Sequence, residues 1–252
     1  MRFALQVAVV LVLLFAGCIG QGPAPLPDDS TETTPYPPGV TADGVSNASA
    51  LVDAHRDHVT TYGAVVTSNG TTTVRIGGEP RTVETNATAR STPNLTRIHV
   101  VSWGVRVSGN ETAPERYEVY ANETTVLERI AYENETSVRV ERRGDAPIVV
   151  ERVVRAQPLR AALESLDFEV VGTERRNGRT VTTLSADETT LSDDDPSRNA
   201  ATLEVAASGR VLSLSTVRDQ NTTTAVGRRT LDVTWSNATT VEPPAWVRNR
   251  SQ

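Results

Sequence analysis

The triplet Asn-Glu-Thr occurs three times, at Asn110, Asn122 and Asn134, with a spacing of 12 residues. Between and after the triplets lie "PERYEVYA", "TVLERIAYE" and "SVRVERR", runs rich in residues that suit a pleated, half-buried surface. If each triplet marks a reversal, this stretch is an antiparallel meander of roughly eight residues per strand. Asn110 and Asn134 then sit at one end of the sheet and Asn122 at the other.

Similar runs flank the meander. "YGAVVTS" and "TTTVRI" lie around Asn69-Gly70, a dipeptide that favours a tight hairpin turn. "PRTVETNATARS" and "NLTRIHVVSWG" alternate in the same way. "FEVVGTERRNGRTVTTLSA" predicts a hairpin turning at Asn177-Gly178, and "ATLEVAASGRVLSLSTVRD" another near Ser208-Gly209. "DETTLSDDDPSRNA" reads as an acidic loop, and "AVGRRTLDVTWSN" with "TTVEPPAWV" closes the domain.

Two segments break the β pattern. In "SNASALVDAHRDHVTTY", Ser46 or Asn47 can cap a helix whose Ala48, Leu51, Val52, His55, Val59 and Tyr62 share one face. In "AQPLRAALESLD", Pro158 suits a first helical turn, and Leu159, Ala162, Leu163 and Leu166 form an apolar stripe. The expected fold is therefore α+β and mainly antiparallel β. A curved sheet is covered by a short N-terminal helix and a mid-chain helix.

The chain begins differently. Arg2 is followed by an apolar run to Ala16, interrupted only by Gln6, and then by Gly17 and Cys18, the sole cysteine. The run is too short to span a bilayer core, which takes about 20 residues, and it suits a signal peptide. The string "FAGC" resembles a lipobox, with Phe15 where Leu is usual. A thiol at the first mature position can carry two lipid chains, enough for stable anchoring. One cysteine also excludes an internal disulfide, so the fold rests on packing. Residues 19–45, including "GQGPAPLPDDSTETTPYPPGV", are rich in Pro, Gly, Thr and acid and read as an extended tether. The expected organisation is a signal peptide at 1–17, a lipidated Cys18 and tether at 18–45, a β domain at 46–247, and a tail at 248–252. The expected location is the extracellular face of the cell membrane.

Every one of the 25 basic residues is Arg, against 31 acids, for a net charge of −6. No basic patch of the nucleic-acid type stands out. Arg142-Arg143, Arg175-Arg176 and Arg228-Arg229 are isolated doublets that fit solvated strand ends. The absence of Lys with an acidic balance resembles haloarchaeal composition. Ten of the 12 Asn begin an Asn-x-Ser/Thr triplet, where chance gives roughly two or three. Asn69, Asn86, Asn94, Asn110, Asn122, Asn134, Asn221 and Asn237 are the candidate N-glycosylation sites. Asn47 and Asn249, near the domain ends, are the weaker members. The alternative is that Asn and Thr simply co-occur at turns and strand ends.

The order of elements resembles the LolA and LppX/LprG superfamily: an N-terminal helix, a long meander, a helix in mid-chain, the hairpin "ATLEVAASGRVLSLS", a further strand and a terminal "VEPPAW". With its Cys-anchored opening "PPGVTADGVSNASALVDAHRDHV", the chain also resembles a family of uncharacterised haloarchaeal surface lipoproteins. The resemblance implies a half-open β-barrel covered by helices that carries a lipid or lipoprotein.

Signals for catalysis are weak. "DAHRDH" offers Asp53, His55, Asp57 and His58, with the two His three apart on a helix, a spacing that suits a shared metal. The His-Glu-x-x-His of zinc proteases is absent, and a packed His55 with one hydrogen bond fits its apolar face better. His99 sits alone in a strand. Asp193, Asp194 and Asp195 lack the alternating pattern of a Ca²⁺ loop and read as solvated acid. Trp103, Trp235, Trp246, Tyr117 and Tyr120 suit a core more than a lipid cavity. No catalytic residue, metal site or cofactor is expected. The expected function is binding or carriage of a lipid or other hydrophobic ligand in the concave face, with the membrane and possible surface-layer components as partners. The alternative is a non-catalytic envelope scaffold with a closed core.

Overall fold

A computed structural model describes residues 36–76, 78–108, 111–132, 135–142, 148–190, 197–221, 225–237 and 240–248. Cys18, Asn110, Asn134, Asn249 and Asp193 to Asp195 lie outside the described residues. The elements run β1 (Val40–Thr41), β2 (Gly44–Val45), α1 (Ala48–Tyr62), β3 (Ala64–Ile76), β4 (Glu79–Ser91), a 3₁₀ turn (Pro93–Leu95), β5 (Ile98–Ser108) and β6 (Glu111–Ala121). They continue with β7 (Thr125–Tyr132), β8 (Glu135–Arg142), α2 (Ile148–Val154), α3 (Ala156–Ser165), β9 (Glu169–Arg176) and β10 (Arg179–Thr190). The last are β11 (Ser197–Ala206), β12 (Val211–Asn221), β13 (Ala225–Ser236) and α4 (Ala245–Arg248).

Eleven strands form one sheet in the order β8-β7-β6-β5-β4-β3-β13-β12-β11-β10-β9, with antiparallel neighbours throughout. The chain starts in the middle at β3 and meanders out to β8. It then crosses through α2 and α3 to the opposite edge, β9, and meanders back until β13 pairs with β3. The sheet is not closed, because β8 and β9 each pair on one side only. The mainly antiparallel, curved and helix-covered fold expected from sequence is the one observed.

Asn47 caps α1, its side-chain oxygen accepting from the Ala50 amide at 3.0 Å. The expected stripe is real: Leu51, Val52, His55 and Val59 are buried. Helices α2 and α3 join α1 over the same core, with Val149, Val153, Val154, Ala156, Leu159 and Leu163 buried against strand residues such as Val66, Val100, Leu203 and Leu214. Helix α2 was not legible, because "IVVERVV" carries four β-branched valines that suit a strand as well as a helix. It is helical because Val149 and Val153, one turn apart, meet the sheet.

Three expectations need correction. Asn69-Gly70 is no turn. β3 runs straight through it for 13 residues, with Asn69 opposite Asn86 and Asp232, and the reversal falls between Ile76 and Glu79. Pairing on both sides outweighs a local turn preference. The acidic loop is shorter than read, since Asp187 to Thr190 and Ser197 to Ala200 pair as strands β10 and β11. Residues 36–45, read as the end of the tether, are folded onto the domain: Val40 is buried and Tyr36 and Val45 pack on the core. The turns at Asn177-Gly178 and Ser208-Gly209 are as expected. Asn177 and Gly178 take φ of 53° and 81°, the left-handed pair such a hairpin needs. Gly209, at φ 83°, brings its turn so close to α1 that a Cβ would sit 2.5 Å from the Cβ of Ala54.

Candidate functional site

Cross-strand register sorts the concave face into rows. The row beneath the helices runs Leu184, Leu203, Leu214, Val233, Ser68, Ala87. The next runs Ala186, Ala201, Thr216, Leu231, Gly70, Thr85. The third runs Glu188, Asn199, Arg218, Arg229, Thr72, Val83. Large apolar groups thus give way to small ones and then to polar ones along the strands. The first row is capped by the helices. Beyond it the sheet is left partly open.

Two adjoining recesses occupy the open part. One, of about 210 Å³, lies between α3 and strands β11 to β13, where Pro158, Ala162, Leu166, Leu214 and Leu231 line it. The other, of about 470 Å³, is lined by Ser68, Thr85, Tyr117, Arg152, Arg155 and Glu115 among others. Pro158, Arg229 and Leu231 border both. Arg155 separates α2 from α3 in a left-handed conformation, φ 56° and ψ 33°. Its guanidinium donates to the Ser68 hydroxyl at 3.0 Å, while its Nε is buried with no partner among the described residues. Burial, and then the neighbouring charge of Arg152, push its pKa down despite Glu151 nearby. The Arg152 guanidinium stacks 5.4 Å from the Tyr117 ring centre. The Tyr117 hydroxyl donates to Glu128 at 2.7 Å. Arg229 follows an irregularity in the β13–β3 register, a place where strands commonly re-aim side chains.

The helices are clasped to the sheet by His55. Its Nε2–H donates to the Val154 carbonyl at 3.0 Å, and its Nδ1 accepts from the Val211 amide at 3.2 Å. The ring packs edge-on against Trp235, whose indole N–H donates to the Val153 carbonyl. Both ring nitrogens are therefore engaged, one bond more than expected, and no lone pair remains for a metal. Burial first, with the charges of His58, Arg210 and Arg56 adding to it, lowers the His55 pKa to about 4. His58 stacks on Tyr62 instead. Burial and the charges of Arg210 and Arg179 lower it to about 4 as well. Among the described residues no group of three His, Cys, Asp or Glu is placed to hold a metal ion.

The convex face holds a second cluster. Glu118 is buried, with His99 Nε2 at 3.0 Å and an Arg116 N–H at 3.2 Å from its carboxylate oxygens. Burial pushes its pKa up, but hydrogen bonding from Trp246 and His99 and the charge of Arg116 outweigh that and hold it below the ordinary value. The segment around α4 covers this patch, where Tyr120, Val241 and Val247 are buried and Trp246 packs on them. Of the five aromatics read as core, Trp235 and Tyr120 are buried and Trp246 and Tyr117 partly so. Trp103 is 48 % exposed, with the Arg116 guanidinium over its ring. The candidate sequons Asn69, Asn86, Asn94 and Asn237 are exposed, as is Asn47, whose oxygen is used in capping. Asn122 is half-buried in the β6–β7 turn, its oxygen accepting from the Thr124 and Thr125 amides. Asn221 ends β12.

Sequence reading missed Arg152, Arg155 and Arg229 as neighbours. Arg155 meets Ser68 across 87 residues, and no local pattern encodes that. Arg228-Arg229 was the one available signal, and it lies within β13 instead of at a strand end.

No protein-family model matches the chain, and no curated protein matches it. Among solved structures it is similar to LprF from Mycobacterium bovis, at 12 % identity and a TM-score of 0.40, over 78 % of this chain and 96 % of that one. It is also similar to a putative outer membrane lipoprotein-sorting protein domain from Vibrio parahaemolyticus, at 10 % identity and a TM-score of 0.27, over 81 % and 99 %. A LolA superfamily protein from Nitrosomonas europaea matches at 8 % identity and a TM-score of 0.27, over 79 % of this chain and 96 % of that one.

Proposed function

We propose that this chain is a lipid-anchored protein of the cell envelope that binds an amphiphile in the open half of its concave face, without catalysis. One observation carries this reading. The helices leave uncovered a pair of adjoining recesses with an apolar floor at Leu166, Leu231 and Pro158 and a polar wall at Arg152, Arg155 and Ser68. Ligand pockets pair apolar lining with a few placed polar groups in this way. The anchor rests on "FAGC" at residues 15–18, with Cys18 as the acceptor. No helix among the described residues is long and apolar enough to cross a membrane. We also propose glycans at the exposed sequons Asn69, Asn86, Asn94 and Asn237, and at Asn110, Asn122, Asn134 and Asn221. Peptide mapping from the native host that found them all unmodified would remove that part.

A Cys18→Ser substitution tests both main claims. Loss of the anchor releases the chain into the medium; retention in the membrane refutes anchoring. Native mass spectrometry of the released protein, purified without detergent, then reads the ligand. A discrete added mass lost on organic extraction is expected. A spectrum of protein and glycan alone, unchanged after host lipids are offered, refutes the binding role. A second reading, an envelope scaffold, draws on the deep half of the concave face, which the protein's own helices fill with Leu and Val.

A further inference from the structure

We propose that Arg155, flanked by Arg152 and Arg229, is a station for an oxyanion, and that it holds the anionic head group of the amphiphile while the apolar part lies against Leu231 and Pro158. This rests on the binding role proposed above and names the chemistry of its ligand. The chain carries a net charge of −6, yet the 470 Å³ recess gathers three arginines against one lining carboxylate, Glu115. None of the three forms an ion pair within 4.0 Å among the described residues. Arg152 is held over Tyr117, and the nearby Glu151 carboxylate accepts from the Gln157 amide at 2.6 Å.

Arg155 is the centre of the station for two reasons. Its left-handed backbone is unfavourable for a residue with a Cβ, and glycine would take that conformation freely. The side chain carried at that cost has one hydrogen bond, to Ser68, and an Nε buried without a partner. The guanidinium lines the 470 Å³ recess with hydrogen-bonding capacity unspent. Phosphate and carboxylate oxygens match the planar fork of Arg better than any neutral group. The adjoining 210 Å³ recess has an apolar side at Leu231, Leu166 and Ala162 beside Arg218 and Arg229, and the chain lies along that apolar side.

The test uses the full-length chain carrying Cys18→Ser, titrated calorimetrically with dihexanoylphosphatidic acid, neutral dihexanoylglycerol and inorganic phosphate, all below micelle formation. The anionic lipid is expected to bind about tenfold or more tighter than the neutral one, in line with a charge-assisted hydrogen bond. Arg155→Gly keeps the backbone conformation and should weaken the anionic lipid until most of that preference is gone. Arg155→Lys should restore part of it. Arg229→Gln, at an exposed position, gives a smaller loss with no threat to folding. Equal binding of the two lipids overturns the oxyanion station and leaves the amphiphile role standing. Inorganic phosphate binding as tightly as the anionic lipid overturns the head-group assignment. No binding of either lipid overturns both this proposal and the role beneath it.

Discussion

The two halves of the concave face are built on the same strands and do opposite things. Under the helices, Leu184, Leu203 and Leu214 are at most 1 % exposed, and His55 locks α1 to α2 and to β12. One and two rows further along the sheet stand Leu231, Gly70 and Thr85, then Arg218 and Arg229. The first half is a closed core whose residues are fixed by packing. The second has no such constraint, and it is there that a strained, under-bonded arginine is found. Stability and ligand chemistry are thus separated along the length of each strand.

The sharpest way to break this comparison is to truncate a leucine in each half. Leu203→Ala, in the closed half, should cost about 2–5 kcal/mol in denaturant unfolding. Leu231→Ala, bordering both recesses, should cost about 1 kcal/mol or less, because solvent already reaches the site. Equal losses would mean that the open half is core after all.

Acid should strike the closed half next. His55 sits near pKa 4 in the folded chain against 6.5 in the unfolded one. Between those values the unfolded chain takes up the proton and the folded chain refuses it. Stability is therefore full above about pH 6.5 and falls as the pH drops through 4, by on the order of 3 kcal/mol for this residue. His58, lowered to about 4, acts in the same direction. Urea midpoints between pH 7 and 4 check this, and His55→Gln should flatten the slope. A slope unchanged by that variant would dismiss the clasp.

Smaller effects sharpen the boundary. Gly209→Ala should cost about 1–3 kcal/mol, because it forces a Cβ into Ala54 at a left-handed φ. Arg155→Gly should leave stability within about 1 kcal/mol, since relief of strain offsets the lost bond to Ser68. Thermal melts of the two variants read the contrast directly. A large loss at Arg155 would make it a structural prop.

What sequence revealed divides along the same line. α1 was legible because its cap at Asn47 and its stripe at Leu51, Val52, His55 and Val59 are local. The Asn177-Gly178 and Ser208-Gly209 turns were legible because short-range backbone preference decides them. Asn69-Gly70 carried the same local signal and was overruled by strands on both sides, and α2 is a helix only because Val149 and Val153 find the sheet. The open recess was least visible of all, since Ser68 and Arg229 lie on separate strands, Arg155 lies at the junction of α2 and α3, and the three share no motif.

The seam where β13 meets β3 bears on how the chain reaches this state. Each meander is assembled from neighbours in sequence, but the hydroxyls of Thr67 and Thr234 bond across the seam at 2.6 Å from positions 167 residues apart. Bringing such distant segments together spends loop entropy before any contact rewards it, and folding slows as sequence separation grows. The two meanders can form early as separate units. Their joining is the slow event, and until it happens β3 shows an unpaired edge beside a half-built core, the interval in which the chain is most exposed to aggregation.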